Sequence, residues 1–241
     1  MGLIHIISVL LINQASYFYG EPGAVLSPTA RKGVSMINIL LITSSPRGGV
    51  SYSTKVAEEL AEKLQAASPG STITKRDLVR NPLPHIVPDY SAGIYLPADA
   101  RTSAQAEVIH ASDTALDELF AAKHIILATG MINFSISSTL KSWIDHIARV
   151  GVTFRYGANG PEGLIKGKKL YVVLASGGVY SEGPGSVQDF AVPYLKELFG
   201  FLGITDVEVI RIEGVGMGEE YVKAALAQAS TRINRMGENR Q

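Results

Sequence analysis

Apolar and β-branched residues gather along the chain in five short runs: Ile37–Thr43, Thr72–Asp77, His124–Thr129, Lys169–Ala175 and Asp206–Ile212. Between the runs the spacing changes to that of amphipathic helices. In Thr54–Gln65 the residues Val56, Ala57, Leu60, Ala61 and Leu64 recur three and four positions apart, which puts them on one helical face. Thr102–Phe120, Thr139–Arg149, Val187–Leu202 and Glu219–Met236 read the same way. Strands that alternate with helices imply βαβ units, right-handed crossovers and a parallel sheet covered on both sides. The expected fold is therefore α/β: a doubly wound five-stranded parallel sheet of order 2-1-3-4-5 with helices on both faces. Such sheets bind ligands beyond the carboxyl ends of their strands, at the switch point between strands 1 and 3.

Two connections are too long to be simple turns. Arg80–Ala100 carries Pro82, Pro84, Pro88 and Pro97 and reads as an extended surface loop. Gly151–Gly167 combines Phe154, Arg155 and Tyr156 with several glycines, and long aromatic loops in compact domains are usually functional. The first 35 residues differ from the rest: Leu3–Ile12 is an apolar stretch too short to span a bilayer, without the basic region of a secretory signal. We read residues 1–35 as an extension outside the fold, with Met36 as the functional start and 36–241 as one domain; a degenerate signal peptide is the alternative. With neither membrane nor secretory signals read, a cytoplasmic location is expected.

Composition narrows the chemistry. Twenty-two basic residues balance 22 acidic ones, so no charge surplus points to nucleic acid, an anionic membrane or an acidic electron carrier docking on basic partners. The chain has no cysteine, which removes disulfides, zinc thiolates, iron–sulfur ligation and thiol catalysis together. Its five histidines lie far apart, without metal-ligand spacing.

Candidate chemistry sits at the strand ends. After the first strand, Ser44-Ser45-Pro46-Arg47-Gly48-Gly49-Val50-Ser51-Tyr52-Ser53 leads into a helix, so hydroxyls of Ser45, Ser51 and Ser53 and free helix N–H groups could hold a phosphate. An ordinary βα turn with a Ser cap is the competing reading. The spacing fits neither a Walker A loop nor a dinucleotide loop, so a mononucleotide is the better match. After the third strand come Met131, Ile132, Asn133 and Phe134, apolar side chains and an amide that suit a planar ligand. After the fourth, Ala175-Ser176-Gly177-Gly178 lets backbone N–H groups approach a ligand closely. Singly, these two segments are also ordinary loop packing and an ordinary turn.

Taken in order, the motifs are Ser-Ser with Ser-x-Ser, Met-x-Asn-Phe-x-Ile-Ser, Gly-Val-Thr-Phe-Arg-Tyr with Gly-Pro-Glu-Gly-Leu, Gly-Gly, and Pro-Tyr-Leu with Gly-Phe-Leu-Gly-Ile-Thr-Asp. From Met36 to about Met236 the chain resembles the flavodoxin-like FMN-dependent NADH-azoreductases, which are also NAD(P)H:quinone oxidoreductases. The resemblance implies an FMN site in which Ser45, Ser51, Tyr52 and Ser53 hold the phosphate and ribityl end. It implies that Met131, Ile132, Asn133 and Phe134 line the flavin and that Ala175, Ser176, Gly177 and Gly178 approach its pyrimidine end. Tyr156 and Phe201 would wall a substrate pocket built across a homodimer interface. NADH, or NADPH, would supply hydride, and a quinone or azo compound would then accept two electrons in ping-pong order, with no certain catalytic side chain. The chain departs from the common family pattern at Gly130 and Ile132, where Pro and an aromatic are frequent. It departs again at Ala175-Ser176 in place of Ser-Arg, and at Tyr180 where His can occur.

Two other readings are a flavodoxin-type FMN electron-transfer module without a substrate pocket and a ligand-sensing regulator without flavin. Gly214-Val215-Gly216-Met217-Gly218 follows the last strand and reads as a glycine-rich turn, not a dinucleotide loop.

Overall fold

The computed structural model describes residues 37–238; the expectations for residues 1–35 and Met36 lie outside the described residues. Strand β1 (Asn38–Thr43) leads into helix α1 (Tyr52–Ala66), then β2 (Thr72–Asp77), a short helix α2 (Pro88–Gly93) and the long α3 (Ser103–Ala121). Next come β3 (His124–Gly130), α4 (Ser138–Ile147), a hairpin of β4 (Phe154–Gly157) and β5 (Gly160–Gly163), and β6 (Lys169–Ala175). Helix α5 (Val192–Phe201), β7 (Asp206–Ile212) and α6 (Glu219–Glu238) complete the order. The main sheet runs β2-β1-β3-β6-β7, all pairs parallel, which is the expected 2-1-3-4-5 order once the hairpin strands are set aside.

Side-chain alternation divides the core into two layers. Leu40, Ile42, Ile125, Leu127, Leu170, Val172 and Leu174 point to one face, where they pack with Leu116 and Leu119 of α3, Trp143 of α4 and Phe199 of α5. Their neighbours Ile39, Leu41, Ile126, Ala128, Tyr171 and Val173 point the other way, onto Val56, Leu60 and Leu64 of α1 and Ala225, Ala229 and Ile233 of α6. Register fixes this division. Leu40 lies beside Ile125 and Ile125 beside Leu170, so a one-residue slip would turn every side chain to the wrong layer.

The long connections are more ordered than their composition suggests. In Arg80–Ala100, Pro88 occupies the first turn of α2, where its missing N–H costs nothing, and Leu83, Tyr90 and Gly93 are buried. The segment is therefore docked on the fold and is not simply an extended surface loop. Its anchor is a polar cluster in which Tyr90 meets the His146 ring edge-on at 4.6 Å and Ser112 Oγ donates to the His146 carbonyl at 2.6 Å. His146 Nε2 lies 2.9 Å from the Pro84 carbonyl, and burial pushes the imidazole below its ordinary pKa. Helix α5 starts at Val192, later than the Val187 that the periodicity predicts. A 3-10 turn, Gly183–Gln188, takes the earlier part, and Asp189 Oδ1 accepts the N–H groups of Ala191 and Val192 at 3.0 Å each.

Candidate active site

At the carboxyl end of β1 the chain is tied to β3 before it turns: Ser44 N–H and Oγ both donate to the Ala128 carbonyl, at 3.0 and 3.3 Å. Gly48 then takes φ +56, a conformation open to glycine, and one 3-10 turn leads to α1. Ser51 stands at the N-cap position of α1 but makes no cap bond to its own helix. Its Oγ lies instead 3.0 Å from that of Ser53. The first bond of the helix runs from Lys55 N–H to the Ser51 carbonyl at 3.1 Å, so the N–H groups of Tyr52, Ser53 and Thr54 have no acceptor among the described residues. Ser45, Ser51 and Ser53 are buried, and Thr54 Oγ1 is buried without a partner. The Arg47 guanidinium lies 5.7 Å above the Tyr52 ring and adds positive charge beside the helix start. Free donors, a helix dipole and a cation together suit a bound anion.

One strand along, Met131 N–H donates to the Ala175 carbonyl at 2.8 Å and holds the ends of β3 and β6 together. Ile132 and Ser135 exchange both backbone bonds, at 2.9 and 3.0 Å, closing a tight turn with Asn133 (φ 47) and Phe134 (φ 66) at its corners. Such a turn favours Asn-Gly, so Phe at the second corner costs about 1–2 kcal/mol of backbone strain. The strain presents the Phe134 ring, 42% exposed, edge-on to Tyr180 at 6.1 Å.

The turn after β6 is held by its carbonyls. Gly178 O accepts from Ser176 Oγ (2.9 Å) and Gly214 N–H (3.1 Å), while Ser176 O accepts from Val215 N–H (3.1 Å) and Gly177 O from Gly216 N–H (3.0 Å). The N–H groups of Gly177 and Gly178 are left without acceptors among the described residues. This gives Gly214–Gly218 a bracing role, because a Cβ on Gly216 would come within 3.2 Å of the Gly177 carbonyl. Glu213 adds a second brace, accepting from Tyr180 N–H at 2.9 Å and Ser181 Oγ at 2.5 Å. Arg211 links it to Asp189.

The expected residues thus fall into three adjoining turns at one sheet edge: Ser45, Ser51, Tyr52 and Ser53; Met131, Ile132, Asn133 and Phe134; Ala175, Ser176, Gly177 and Gly178. A cleft of about 710 Å³ opens at the β1–β3 switch point, with Pro46, Val79, Ile132, Ile136, Lys141 and Tyr194 among its walls. Val79, Lys141 and Tyr194 escaped the sequence reading, as did Arg47 and Thr54. Tyr156 and Phe201 do not join this group. They meet through Phe154, at 5.8 and 4.6 Å, in the β4–β5 hairpin and the end of α5. Ile165 N–H bonds the Leu202 carbonyl there, near the amino ends of β6 and β7, so this aromatic trio lies across the length of the strands from the cleft.

Comparison with known proteins decides the relationship. The Flavodoxin_2 family, described by its flavodoxin-like fold, matches residues 37–236. The FMN-dependent NADH:quinone oxidoreductase of Mesorhizobium japonicum is 64% identical over 198 residues, 82% of this chain and 94% of that one. This chain belongs to that family of flavodoxin-like oxidoreductases. A solved azoreductase from Bacillus anthracis str. Sterne matches with a TM-score of 0.75 at 30% identity, covering 83% of this chain and all of that one (100%). An FMN-dependent NADH-azoreductase from Bacillus anthracis str. Ames Ancestor, solved in complex with FMN, matches with a TM-score of 0.75 at 26% identity, over 84% of this chain and 100% of its own. Family membership agrees with the resemblance carried by the motifs, and the five-stranded order with the alternation of apolar runs and helical patterns.

Proposed function

We propose that this chain is an FMN-dependent NADH:quinone oxidoreductase that also reduces aromatic azo compounds, in ping-pong order and with NADH or NADPH as hydride donor. The observation that carries the reading is the meeting, at one sheet edge, of an uncapped helix start, a strained Asn133–Phe134 turn and two free glycine N–H groups. Two features fit an FMN group there. Thr54 Oγ1 is an orphaned buried polar atom at the helix start, and a Cβ at Gly177 would meet nothing within 4 Å, so the backbone is open to a close neighbour.

When bound, FMN supplies hydride acceptance and two-electron donation, so the protein needs no acid–base pair of its own. Ser45, Ser51, Tyr52 and Ser53 hold the phosphate end through hydroxyls and N–H groups. Met131, Ile132 and Phe134 would exclude water from the ring, Asn133 would orient it, and the Gly177 and Gly178 N–H groups would be available to donate hydrogen bonds to it. Ala175 and Ser176 fix that turn against β3 and β7. Tyr156 and Phe201, too far along the sheet to reach their own cleft, serve the pocket of a second copy in a homodimer.

We take residues 36–241 as the functional unit. No helix among the described residues is long and apolar enough to cross a membrane. The test is an anaerobic visible spectrum of the FMN-loaded protein. Addition of NADH should bleach the flavin and a quinone should restore its colour at once. A bound flavin that neither NADH nor NADPH reduces would favour the electron-transfer module instead.

A further inference from the structure

A single cation ties together two of the three turns at the sheet edge. Alternation along β7 puts Arg211 on the same layer as Val207 and Val209, toward α5, where the pattern calls for a third apolar residue. Its guanidinium instead bridges two carboxylates: Nη2 donates to Asp189 Oδ2 at 2.5 Å and Nη1 to Glu213 Oε1 at 3.2 Å. Both carboxylates are nearly buried, their side chains 5% and 12% exposed, so without the cation they would stand as weakly screened like charges. Lys196 and Glu182 also border the groove along β7, but neither pairs with this trio among the described residues.

Each carboxylate leads to one of the turns. Glu213 accepts from Tyr180 N–H at 2.9 Å and Ser181 Oγ at 2.5 Å, in the segment that follows Gly177 and Gly178. Asp189 accepts the Ala191 and Val192 N–H groups, and Phe190 beside it donates its N–H to the Phe134 carbonyl at 3.0 Å, shared with Gln188 O at 3.1 Å. The two arms meet again where the Phe134 ring stands edge-on to Tyr180. The contacts therefore close a circuit through Arg211, Asp189, Phe190, Phe134, Tyr180 and Glu213. A positive-φ corner such as Phe134 persists only where its surroundings over-determine it, and this circuit does so.

We propose that Arg211 is a positioning residue of the flavin site: through Asp189 and Glu213 it fixes the Phe134 turn against the Gly177–Gly178 turn, and so sets how tightly the ring end of FMN is held. This rests on the FMN site proposed above and extends it to a residue on β7 outside all three turns.

The experiment measures the affinities for FMN and for riboflavin, and amide exchange by NMR in the flavin-free protein, for the wild type, Arg211→Lys and Arg211→Met. Lysine keeps the charge but lacks the fork that reaches both carboxylates. Arg211→Met should weaken both flavins about tenfold and Arg211→Lys about threefold, with the FMN-to-riboflavin ratio kept within about twofold because the phosphate end is untouched. In flavin-free Arg211→Lys the Tyr180 and Phe190 amides should exchange about threefold faster or more, while Leu40 and Ile125 in the centre of the sheet keep their rates. If Arg211→Met does not fold, Arg211→Lys carries the test. Affinities that ignore the substitution, a loss confined to FMN, or exchange that rises at Leu40 and Ile125 as far as at Tyr180 and Phe190, would overturn the proposal. If the wild type binds neither flavin, the parent reading fails. The exchange rates then decide the circuit alone: a rise selective for Tyr180 and Phe190 supports it, and no rise overturns it.

Discussion

Helices α1 and α3 both begin at the carboxyl edge of the sheet, both behind a hydroxyl residue, and their starts are spent in opposite ways. At α3 the Thr102 hydroxyl accepts the Gln105 N–H at 3.3 Å and the Gln105 side chain accepts the Thr102 N–H at 3.0 Å, a complete capping box. At α1 the Ser51 hydroxyl turns to Ser53, and the first N–H groups of the helix stay open. Helix α4 follows the α3 pattern, with Ser137 Oγ accepting the Leu140 N–H at 3.3 Å. A Ser before a helix is therefore not informative by itself. What sets the α1 start apart is a cap residue that makes no cap bond while its neighbours are buried, and on that ground we propose it as the binding site.

Four changes put that contrast under strain, taken from the largest expected effect to the smallest. Gly178→Val should weaken FMN binding by about 100-fold or more, because a Cβ there already lies 3.4 Å from the Tyr180 ring, so the branched carbons would push apart the turn that carries the free N–H groups. Dialysis of FMN against the variant checks it, and a protein that still purifies fully yellow would contradict the placement. Ser51→Ala combined with Ser53→Ala should raise the FMN dissociation constant by about 10–100-fold, through loss of hydroxyl bonds to an anion, with little change in Tm. Thr102→Ala should do the reverse, costing about 1 kcal/mol of stability in urea unfolding and leaving FMN affinity alone. Phe134→Gly should relieve the positive-φ corner and stabilise the flavin-free protein by up to about 1 kcal/mol, while lowering quinone reductase activity as the flavin loses its cover.

A pH series adds a control remote from the site. Burial lowers the His146 pKa in the folded chain below its ordinary 6.5, so the unfolded chain binds the proton more readily. The stability held by neutral His146 is fully present above that value and is lost as pH falls from 6.5 toward the folded pKa. Urea midpoints measured down this range should fall for the wild type and fall less for His146→Gln. A wild type with no loss of midpoint in this range would remove His146 from the account.

Much of this was legible in the sequence where the signal is local. A strand that breaks into Ser45, Pro46, Gly48 and Gly49 before a helical pattern carries its own geometry, so the strand–turn–helix order at the proposed phosphate site could be read directly. The same holds for β1, β3 and β6, whose apolar runs are buried on both sides. The β4–β5 hairpin was hidden because Gly160-Pro161-Glu162-Gly163 opposes strand propensity and is held by its partner Phe154-Arg155-Tyr156-Gly157 and by packing on Gly203. The cleft walls were hidden for another reason. Val79, Lys141 and Tyr194 come from three separate elements, and only the folded sheet brings them to one crevice. Thr54 was unreadable because an unpartnered buried hydroxyl is a property of its surroundings, not of its sequence position.

The central claim is that the start of α1 is left uncapped to receive the phosphate of FMN. The most direct measurement is the affinity of the protein for FMN against riboflavin, which lacks the phosphate, in the wild type and in the Ser51→Ala, Ser53→Ala double variant. The account predicts that the wild type prefers FMN by about 100-fold, the worth of two charge-assisted bonds, and that the double variant loses most of that preference by weakening FMN alone. Equal affinity of the wild type for the two flavins, or a preference that survives the double substitution unchanged, would contradict it.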